Sequence, residues 1–309
     1  GVIYGGDSSE REVSINSGIA IINACKKLGH TVQAFDGFDE SIINQKFDFI
    51  FLALHGTFGE DGSIQKILEE NKIEYNGSSS MSSSKCFNKH STKSIADNYN
   101  ILTPMWNVVD FPDHKINYKY IMSKANVVLD LHKDYHGEED RFFVVKPIHE
   151  GSSIGVSVVR DHSNLPSVID KTLQFGELMI EKYISGREIT VSILGNKSLP
   201  IIEIKPHSNV YDYKSKYTSG ESDYICPADI DEALTKKIQD TALKVHNLLG
   251  CEVYSRVDFR LNKNNEFFLL EINTLPGMTE TSLFPMAAKA SGLSFEDLID
   301  KIIKLSLEK

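Results

Sequence analysis

The chain has 309 residues, 41% of them hydrophobic and 25% charged, too long for one ordinary core and suited to two or three α/β domains with a site between them. Its formal net charge of −10 argues against a nucleic-acid partner, because binding phosphate backbones needs clustered Lys and Arg. No run approaches the roughly 20 apolar residues that cross a bilayer and no charged-then-apolar leader opens the chain; with Cys25, Cys86, Cys226 and Cys251 lacking metal-ligand spacing, a reducing cytoplasm without membrane attachment is expected.

Val2-Ile3-Tyr4 followed by Gly5-Gly6-Asp7-Ser8-Ser9 reads as a strand end and tight loop, and a helix is predicted from Glu10 to about Leu28, stopped by Gly29. Thr31–Phe35 and Phe47–Leu54 read as strands, the second a continuous apolar run of the kind buried in a parallel sheet. The polar, glycine-rich segment His55-Gly56-Thr57-Phe58-Gly59-Glu60-Asp61-Gly62 follows that strand, where open sheets bind ligands. Ser78–Ser84, six serines and one Met, favours a loop or hinge and a boundary near residue 85. A helix over Lys85–Asn98 follows, then an exposed loop over Asp130–Arg141, a strand over Phe142–Pro147, a flexible turn over Glu150–Val156 and a strand over Leu178–Tyr183. Glu188–Leu194 and Leu199–Ile204 resemble a hairpin turning at Gly195-Asn196. His207–Pro227 lacks core periodicity, and a loop of that length is usually functional, so lid behaviour is expected. Asp231–Leu249 reads as an amphipathic helix, Tyr254–Leu261 and Phe267–Ile272 as paired strands, and Ser294–Leu307 as a closing helix. Three α/β domains result: N-terminal over 1–85, central over 86–182 and C-terminal over 183–309.

The most informative cluster is Arg256-Val257-Asp258 on one strand with Glu271-Ile272-Asn273 on the next. Alternation puts Arg256 and Asp258 on one face, and Glu271 and Asn273 likewise. Two carboxylates and an amide are the hard oxygen donors that Mg²⁺ takes when it bridges nucleotide phosphates. Taken alone, strand-end carboxylates are more often solvated or paired with lysines. Their company shifts the balance: Lys146 after a hydrophobic strand, a Gly/Ser loop at 151–155, and Glu181-Lys182 followed by Glu188. Lysines neutralise phosphates, N–H groups of such a loop cradle them, and a carboxylate takes ribose hydroxyls. No Gly-x-x-x-x-Gly-Lys-Ser/Thr loop is present, so a nucleotide would lie between sheets.

Over essentially its whole length the chain resembles the D-alanine:D-alanine ligases of the ATP-grasp superfamily. The resemblance is carried, in family order, by Gly5-Gly6 through Glu10-Arg11-Glu12-Val13-Ser14, by Leu54-His55-Gly56 through Gly59-Glu60-Asp61-Gly62, and by Lys146-Pro147 through Glu150-Gly151-Ser152-Ser153-Ile154-Gly155. It continues in Tyr211-Asp212-Tyr213 through Lys216-Tyr217, Cys226-Pro227-Ala228, Arg256-Val257-Asp258 and Leu270-Glu271-Ile272-Asn273-Thr274-Leu275-Pro276-Gly277-Met278-Thr279.

This resemblance implies a three-domain ATP-grasp α/β architecture, with an N-terminal doubly wound parallel sheet and ATP held between the central and C-terminal domains. The implied reaction joins two D-alanines through an acyl phosphate, for peptidoglycan precursor synthesis. Asp258, Glu271 and Asn273 would hold two Mg²⁺ ions, with Mn²⁺ as a substitute. Lys89, Lys146 and Lys216 would neutralise phosphates, Ser153 would belong to the phosphate loop, and Glu181, Lys182, Ile184 and Glu188 would frame adenine and ribose. Glu10 would take the first ammonium, Ser282 the second carboxylate, and His55 would orient the second substrate. Arg256 and the backbone N–H of Gly277 would stabilise the oxyanion. Glu10, Ser152 and Tyr217 would form a hydrogen-bonded set that closes the lid and protects the acyl phosphate from water. A cytoplasmic homodimer is implied as well.

Without the family pattern, Ser152 is a loop serine, Tyr217 an exposed aromatic, and His55 a residue satisfying backbone groups after a strand. Two departures stand beside retained residues: Asn88 precedes Lys89 where an acidic residue is expected, and His149 precedes Glu150 where Arg is common. They bear on nucleotide affinity rather than on the reaction. A ligase for D-lactate or D-serine would share every metal and nucleotide residue, and Tyr217 favours D-alanine. A dinucleotide oxidoreductase at Gly5-Gly6 lacks the Gly-x-Gly-x-x-Gly spacing. A non-catalytic nucleotide module would have lost one of Asp258, Glu271, Asn273 or Arg256.

Overall fold

The computed structural model describes residues 1–8, 10–109, 116–136, 140–207, 222–279 and 281–309. Strands β1 (Val2–Tyr4), β2 (Ala34–Asp36) and β3 (Phe51–Leu52) form a parallel sheet in the order β2-β1-β3. Helix α1 (Arg11–Lys27) crosses from β1 to β2, burying Val13, Ile21, Ala24 and Cys25. Two serines share that buried side. Ser14 Oγ accepts the Gly5 N–H at 2.8 Å and donates to the Ala53 carbonyl at 2.7 Å, so one hydroxyl ties together the loop after β1 and the segment after β3.

A second sheet is antiparallel, in the order β4-β7-β5-β6, from β4 (Trp106–Val109), β5 (Phe143–Pro147), β6 (Ser157–Val159) and β7 (Leu178–Lys182). Every residue of β5 and β7 is buried. Val109, Phe143, Val145 and Ile180 share a core with Ile121 and Ala125 of α5 (Tyr118–His136) and with Ile169 of α6 (Leu165–Thr172).

The third sheet is also antiparallel. Its path is β11 (Ser222–Ile225), β10 (Ile202–Pro206), β8 (Arg187–Leu194), β12 (Tyr254–Leu261) and β13 (Phe267–Asn273), with β9 (Lys197–Ser198) on β8. Ile189, Val191 and Ile193 of β8 pack against Ile238, Ala242 and Val245 of the helix Glu232–Leu248, and Cys86, Ala96 and Ile101 join them. The core of the parallel sheet also runs into this unit: Leu52 and, from α2 (Ser63–Glu70), Ile64 cluster with Tyr254, Leu275 and Phe284, and Asn76 Nδ2 donates to the Tyr254 hydroxyl at 2.6 Å.

Several local expectations are corrected. Ser80–Phe87 is helix α3 rather than loop: the Ser79 hydroxyl accepts the Ser82 N–H, and the buried side is Ser82, Ser83 and Cys86, small side chains that leave no apolar period to read. The predicted helix over Lys85–Asn98 is divided, because Asn88 is extended; its side chain caps α4 (Lys89–Asn98) by accepting the Ser91 N–H at 2.9 Å. The expected loop over Asp130–Arg141 starts as helix, since α5 runs to His136 with Leu129 and His132 buried. Ser222–Ile225, placed in the long lid loop, is β11, pairing Glu203 with Ile225. Cys86 and Cys251, 165 positions apart, bring their Sγ atoms to 3.4 Å as free thiols.

Candidate active site

An open cleft, about 880 Å³ with the solvent at its mouth included, lies between the second and third sheets. The second sheet contributes Lys146, Ser153, Glu181 and Lys182 to its wall; the third contributes Glu188, Asp258, Leu270 and Glu271, and Ile184 lies in the connection between them. Lys89, at the start of α4, closes one side.

After β5 the chain enters the turn Gly151–Gly155, where Ser152 (φ 49°) and Ser153 (φ 60°) are both left-handed and Gly155 (φ 69°) follows. Two consecutive non-glycine residues in that region are uncommon. Turns of this kind can aim neighbouring N–H groups at an anion; here the Ile154 N–H closes the turn on the Gly151 carbonyl at 3.0 Å and the Val156 N–H on the Ser153 carbonyl at 3.2 Å. Behind the turn, the buried Glu181 is shared: its Oε1 takes Lys146 at 2.7 Å and its Oε2 takes Lys93 at 3.0 Å. Burial opposes the Glu181 charge, but Lys146 and then Lys93 outweigh it and hold the carboxyl below its ordinary range. Lys182 pairs with Asp140, and Glu188 with Arg260 at 3.2 Å. Arg260 Nε also donates to the Ile184 carbonyl at 3.1 Å.

The floor is the β12–β13 pair, whose register sets Asp258 opposite Glu271 and Arg256 opposite Asn273. Directly opposed residues of antiparallel strands share a face, so the two carboxylates and the amide lie together as alternation predicts. A bulge follows, with Phe259 opposite Leu269, which leaves both Leu270 and Glu271 half-buried at the cleft. Arg256 grips Asp258 through Nε (3.0 Å) and Nη2 (2.9 Å), Thr190 donates to the same carboxylate, and Lys89 stands 3.6 Å from Glu271. Asn273 Oδ1 accepts the Leu275 N–H at 3.0 Å. Among the described residues no three His, Cys, Asp or Glu side chains converge as a ready-made cage. Two carboxylates and an amide fit Mg²⁺, which is bound through one or two carboxylates together with phosphate oxygens, and the nearby cations suit those phosphates.

The second half of the site is built on α1 and the loops around it. Glu10, buried just before α1, accepts the Ser152 hydroxyl from the second sheet's turn. Glycines permit that approach: a Cβ on Gly151 would stand 2.9 Å from Glu10 Oε2, and one on Gly56 3.2 Å from it. His55 is buried, and burial lowers its pKa, with Glu10 pulling it back up. The Ser17 hydroxyl lies 3.4 Å from His55 Nε2 and accepts the Met278 N–H at 3.1 Å. That contact ties the loop holding Gly277 to α1. A Cβ at Gly277 would lie 3.0 Å from Ser282 Oγ, which itself accepts the Thr279 N–H at 3.0 Å. Glu60 accepts the Gly56 N–H at 2.7 Å; burial, then the Glu10 charge, push its carboxyl up to about 8.

The D-ala D-ala ligase C-terminus family description matches residues 116–304, and the N-terminus description of the same enzymes matches residues 26–78. The chain belongs to the D-alanine–D-alanine ligase family. It is 43% identical to the D-alanine–D-alanine ligase of Carboxydothermus hydrogenoformans, covering 100% of this chain and 98% of that one. The crystal structure of the Bacillus anthracis D-alanine–D-alanine ligase complexed with ATP matches it at a TM-score of 0.81 and 34% identity, over 99% and 96% of the two chains. The VanG D-Ala:D-Ser ligase of Enterococcus faecalis has a TM-score of 0.79 at 26% identity, over 99% and 98%. The α/β architecture of one parallel and two antiparallel sheets is thus the ATP-grasp fold of these ligases.

The two departures from the ligase pattern touch each other: Asn88 Nδ2 lies 2.9 Å from His149 Nε2. One residue along, Lys89 donates to the Glu150 carbonyl, so the start of α4 is fastened to the root of the phosphate-type turn. Lys216 and Tyr217 lie outside the described residues. Sequence reasoning missed Lys93, Glu60, Ser17, Thr190 and Arg260. Glu60 stood inside a quoted motif and Lys93 one helical turn after Lys89, yet neither position announces burial; Ser17 carried no signal.

Proposed function

We propose that this chain joins two D-alanine molecules into D-alanyl-D-alanine, converting ATP to ADP and phosphate by way of an acyl phosphate. The observation that carries this reading is the opposition of Asp258 and Glu271 on the cleft floor, facing a wall that presents Lys146 and the Ser152–Ser153 turn.

ATP occupies the cleft between the central (86–182) and C-terminal (183–309) segments. Ile184, Lys182, Glu181 and Glu188 frame its base and ribose, while Lys89, Lys146, Lys216 and the N–H groups around Ser153 meet the phosphates. Asp258, Glu271 and Asn273 hold Mg²⁺, two ions replaceable by Mn²⁺. Bound there, the metal supplies Lewis-acid neutralisation of phosphate charge. Glu10 binds the ammonium of the first D-alanine, whose carboxylate attacks the γ-phosphorus and releases ADP. The amine of the second D-alanine, with its carboxylate on Ser282 and its approach set by His55, then attacks the acyl carbon. Arg256 and the Gly277 N–H face the oxyanion of that tetrahedral intermediate, and phosphate leaves. Ser152, Glu10 and Tyr217 close the site against water, which would otherwise hydrolyse the acyl phosphate.

We infer that the enzyme acts as a homodimer in the cytoplasm. No helix among the described residues is long and apolar enough to cross a membrane. The test is incubation with ATP, Mg²⁺ and D-alanine, following phosphate and dipeptide, with L-alanine, D-serine and D-lactate as controls. Dipeptide and phosphate are expected in equal amounts with D-alanine alone. Phosphate release independent of any D-amino acid would remove the ligase reading, and preferential use of D-serine or D-lactate would change its acceptor.

A further inference from the structure

Lys93 is a charge for which the reaction above has no use. Its side chain has 0% exposure, and a buried ammonium is costly unless its protons find partners. It hydrogen-bonds Thr103 Oγ1 at 2.6 Å, forms an ion pair with Glu181 Oε2 at 3.0 Å, and lies 5.2 Å from the centre of the Trp106 ring. Thr103 in turn donates to the Leu269 carbonyl on β13 at 2.9 Å, and Trp106 is the register partner of Glu181. Glu181 and Lys146 line the cleft; Lys93 stands behind them.

One carboxylate is therefore held between two ammonium groups, Lys93 at the back and Lys146 at the front. With Lys146 alone, Glu181 would form a closed pair of no net charge, with one oxygen free to turn. The rear ammonium pairs electrostatically with that oxygen at 3.0 Å and leaves the three-charge group with a net positive charge. A methionine would fill the same volume, so packing alone does not call for a charge here.

We propose that Lys93 is a positioning residue for ATP: by holding Glu181 from behind, it keeps the Lys146 ammonium directed into the cleft with the positive charge that a polyphosphate requires. This rests on reading the cleft as the ATP site. Burial lowers the Lys93 pKa to about 8, with Glu181 raising it and Lys146 lowering it. An arriving polyanion favours the charged form, so nucleotide binding above that pH takes up a proton.

The test compares wild type, Lys93→Met and Lys93→Arg, using ADP with Mg²⁺ as the probe. Calorimetry at alkaline pH in two buffers of different ionisation enthalpy should show proton uptake in wild type. Lys93→Met should lose that uptake, bind ADP about tenfold more weakly and raise KM for ATP by a similar factor. Its KM for D-alanine should not move, its kcat should change by less than about threefold, and Lys93→Arg should recover most of the affinity. Trp106, the only tryptophan of the chain, gives a readout that needs no variant. Its emission should show a transition near pH 8 as Lys93 deprotonates, and saturating ADP should move that midpoint upward. Should Lys93→Met fail to fold, this wild-type titration decides. ADP affinity and proton uptake unchanged in Lys93→Met, or a Trp106 transition that ADP leaves in place, overturns the role of Lys93 while the ATP reading stands. A wild-type protein that does not bind ADP overturns both.

Discussion

Glu60 and Glu271 show two ways of holding a carboxylate. Among the described residues Glu60 has one backbone donor and no hydrogen-bonded cation, and burial and the nearby Glu10 outweigh the Gly56 N–H and the Arg256 charge, so it stays protonated up to about pH 8, against an ordinary value of 4.5. Between those values the folded chain holds a proton that the unfolded chain has lost. The contribution to stability is fully present below pH 4.5 and disappears as pH rises through about 8. Glu60→Gln keeps an acceptor for the Gly56 N–H and cannot ionise. Its stability should gain on wild type as pH rises from 5 to about 8, by at most about 1.4 kcal/mol per pH unit, read as a growing difference in melting temperature; melting temperatures that stay parallel across that range would contradict the assignment. Glu271 is instead half-buried and faces Lys89. Glu271→Gln keeps the shape and loses the charge, so turnover should fall about a thousandfold, the several kcal/mol that a Lewis-acid ion supplies. Its unfolding midpoint should stay near wild type. Near-normal turnover in that variant would show that the metal does not bind there.

Helix termini do much of the positioning in this fold, and two of them can be separated experimentally. Asn88 caps α4 through Oδ1, which leaves Nδ2 as the group facing His149 at the root of the Ser152–Ser153 turn. His149→Ala removes the contact to Asn88, together with a 4.0 Å approach to the exposed Glu177, and leaves the cap in place. It should leave stability within about 0.5 kcal/mol and raise KM for ATP about fivefold, the equivalent of one hydrogen bond. Asn88→Ala removes the cap as well and should also cost about 1 kcal/mol of stability. If His149→Ala leaves KM unchanged, the contact does not steer the turn. The helix Phe295–Leu307 begins with a capping box in which Ser294 and Asp297 satisfy each other's N–H groups. It packs Leu298, Ile299 and Ile302 into the core beneath the parallel sheet. Ser294→Ala should lower the urea midpoint by the equivalent of about 1 kcal/mol, with an unchanged slope.

At the scale of the whole molecule, the cleft belongs to neither sheet alone, so a ligand that fills it joins units that otherwise have separate cores. Mass action then predicts that ADP with Mg²⁺ at about 100 times Kd stabilises the fold by about 2.7 kcal/mol, read as a rise of several degrees in melting temperature. EDTA should remove most of that rise. A melting temperature indifferent to ADP would mean that the cleft does not take nucleotide.

Read by itself, the sequence determined the order of apolar runs that become β1, β5, β7, β12 and β13, and the motif residues Glu10, Lys146, Glu181, Asp258 and Glu271. These are local properties: period, composition and spacing are written in consecutive residues. Alternation was enough to put Asp258 with Arg256 and Glu271 with Asn273. Only the tertiary structure decided that Asp258 lies opposite Glu271, that a bulge turns Leu270 to the cleft beside it, and that Ser152 reaches Glu10 across 142 positions. It also decided that the serines of α3 face inward, that Lys93 lies beneath Trp106, and that Glu60 loses its water. Burial and charge proximity depend on which distant segments approach. A lysine in a helix or a glutamate in a glycine-rich loop has no assigned electrostatics until the sheets have closed around it.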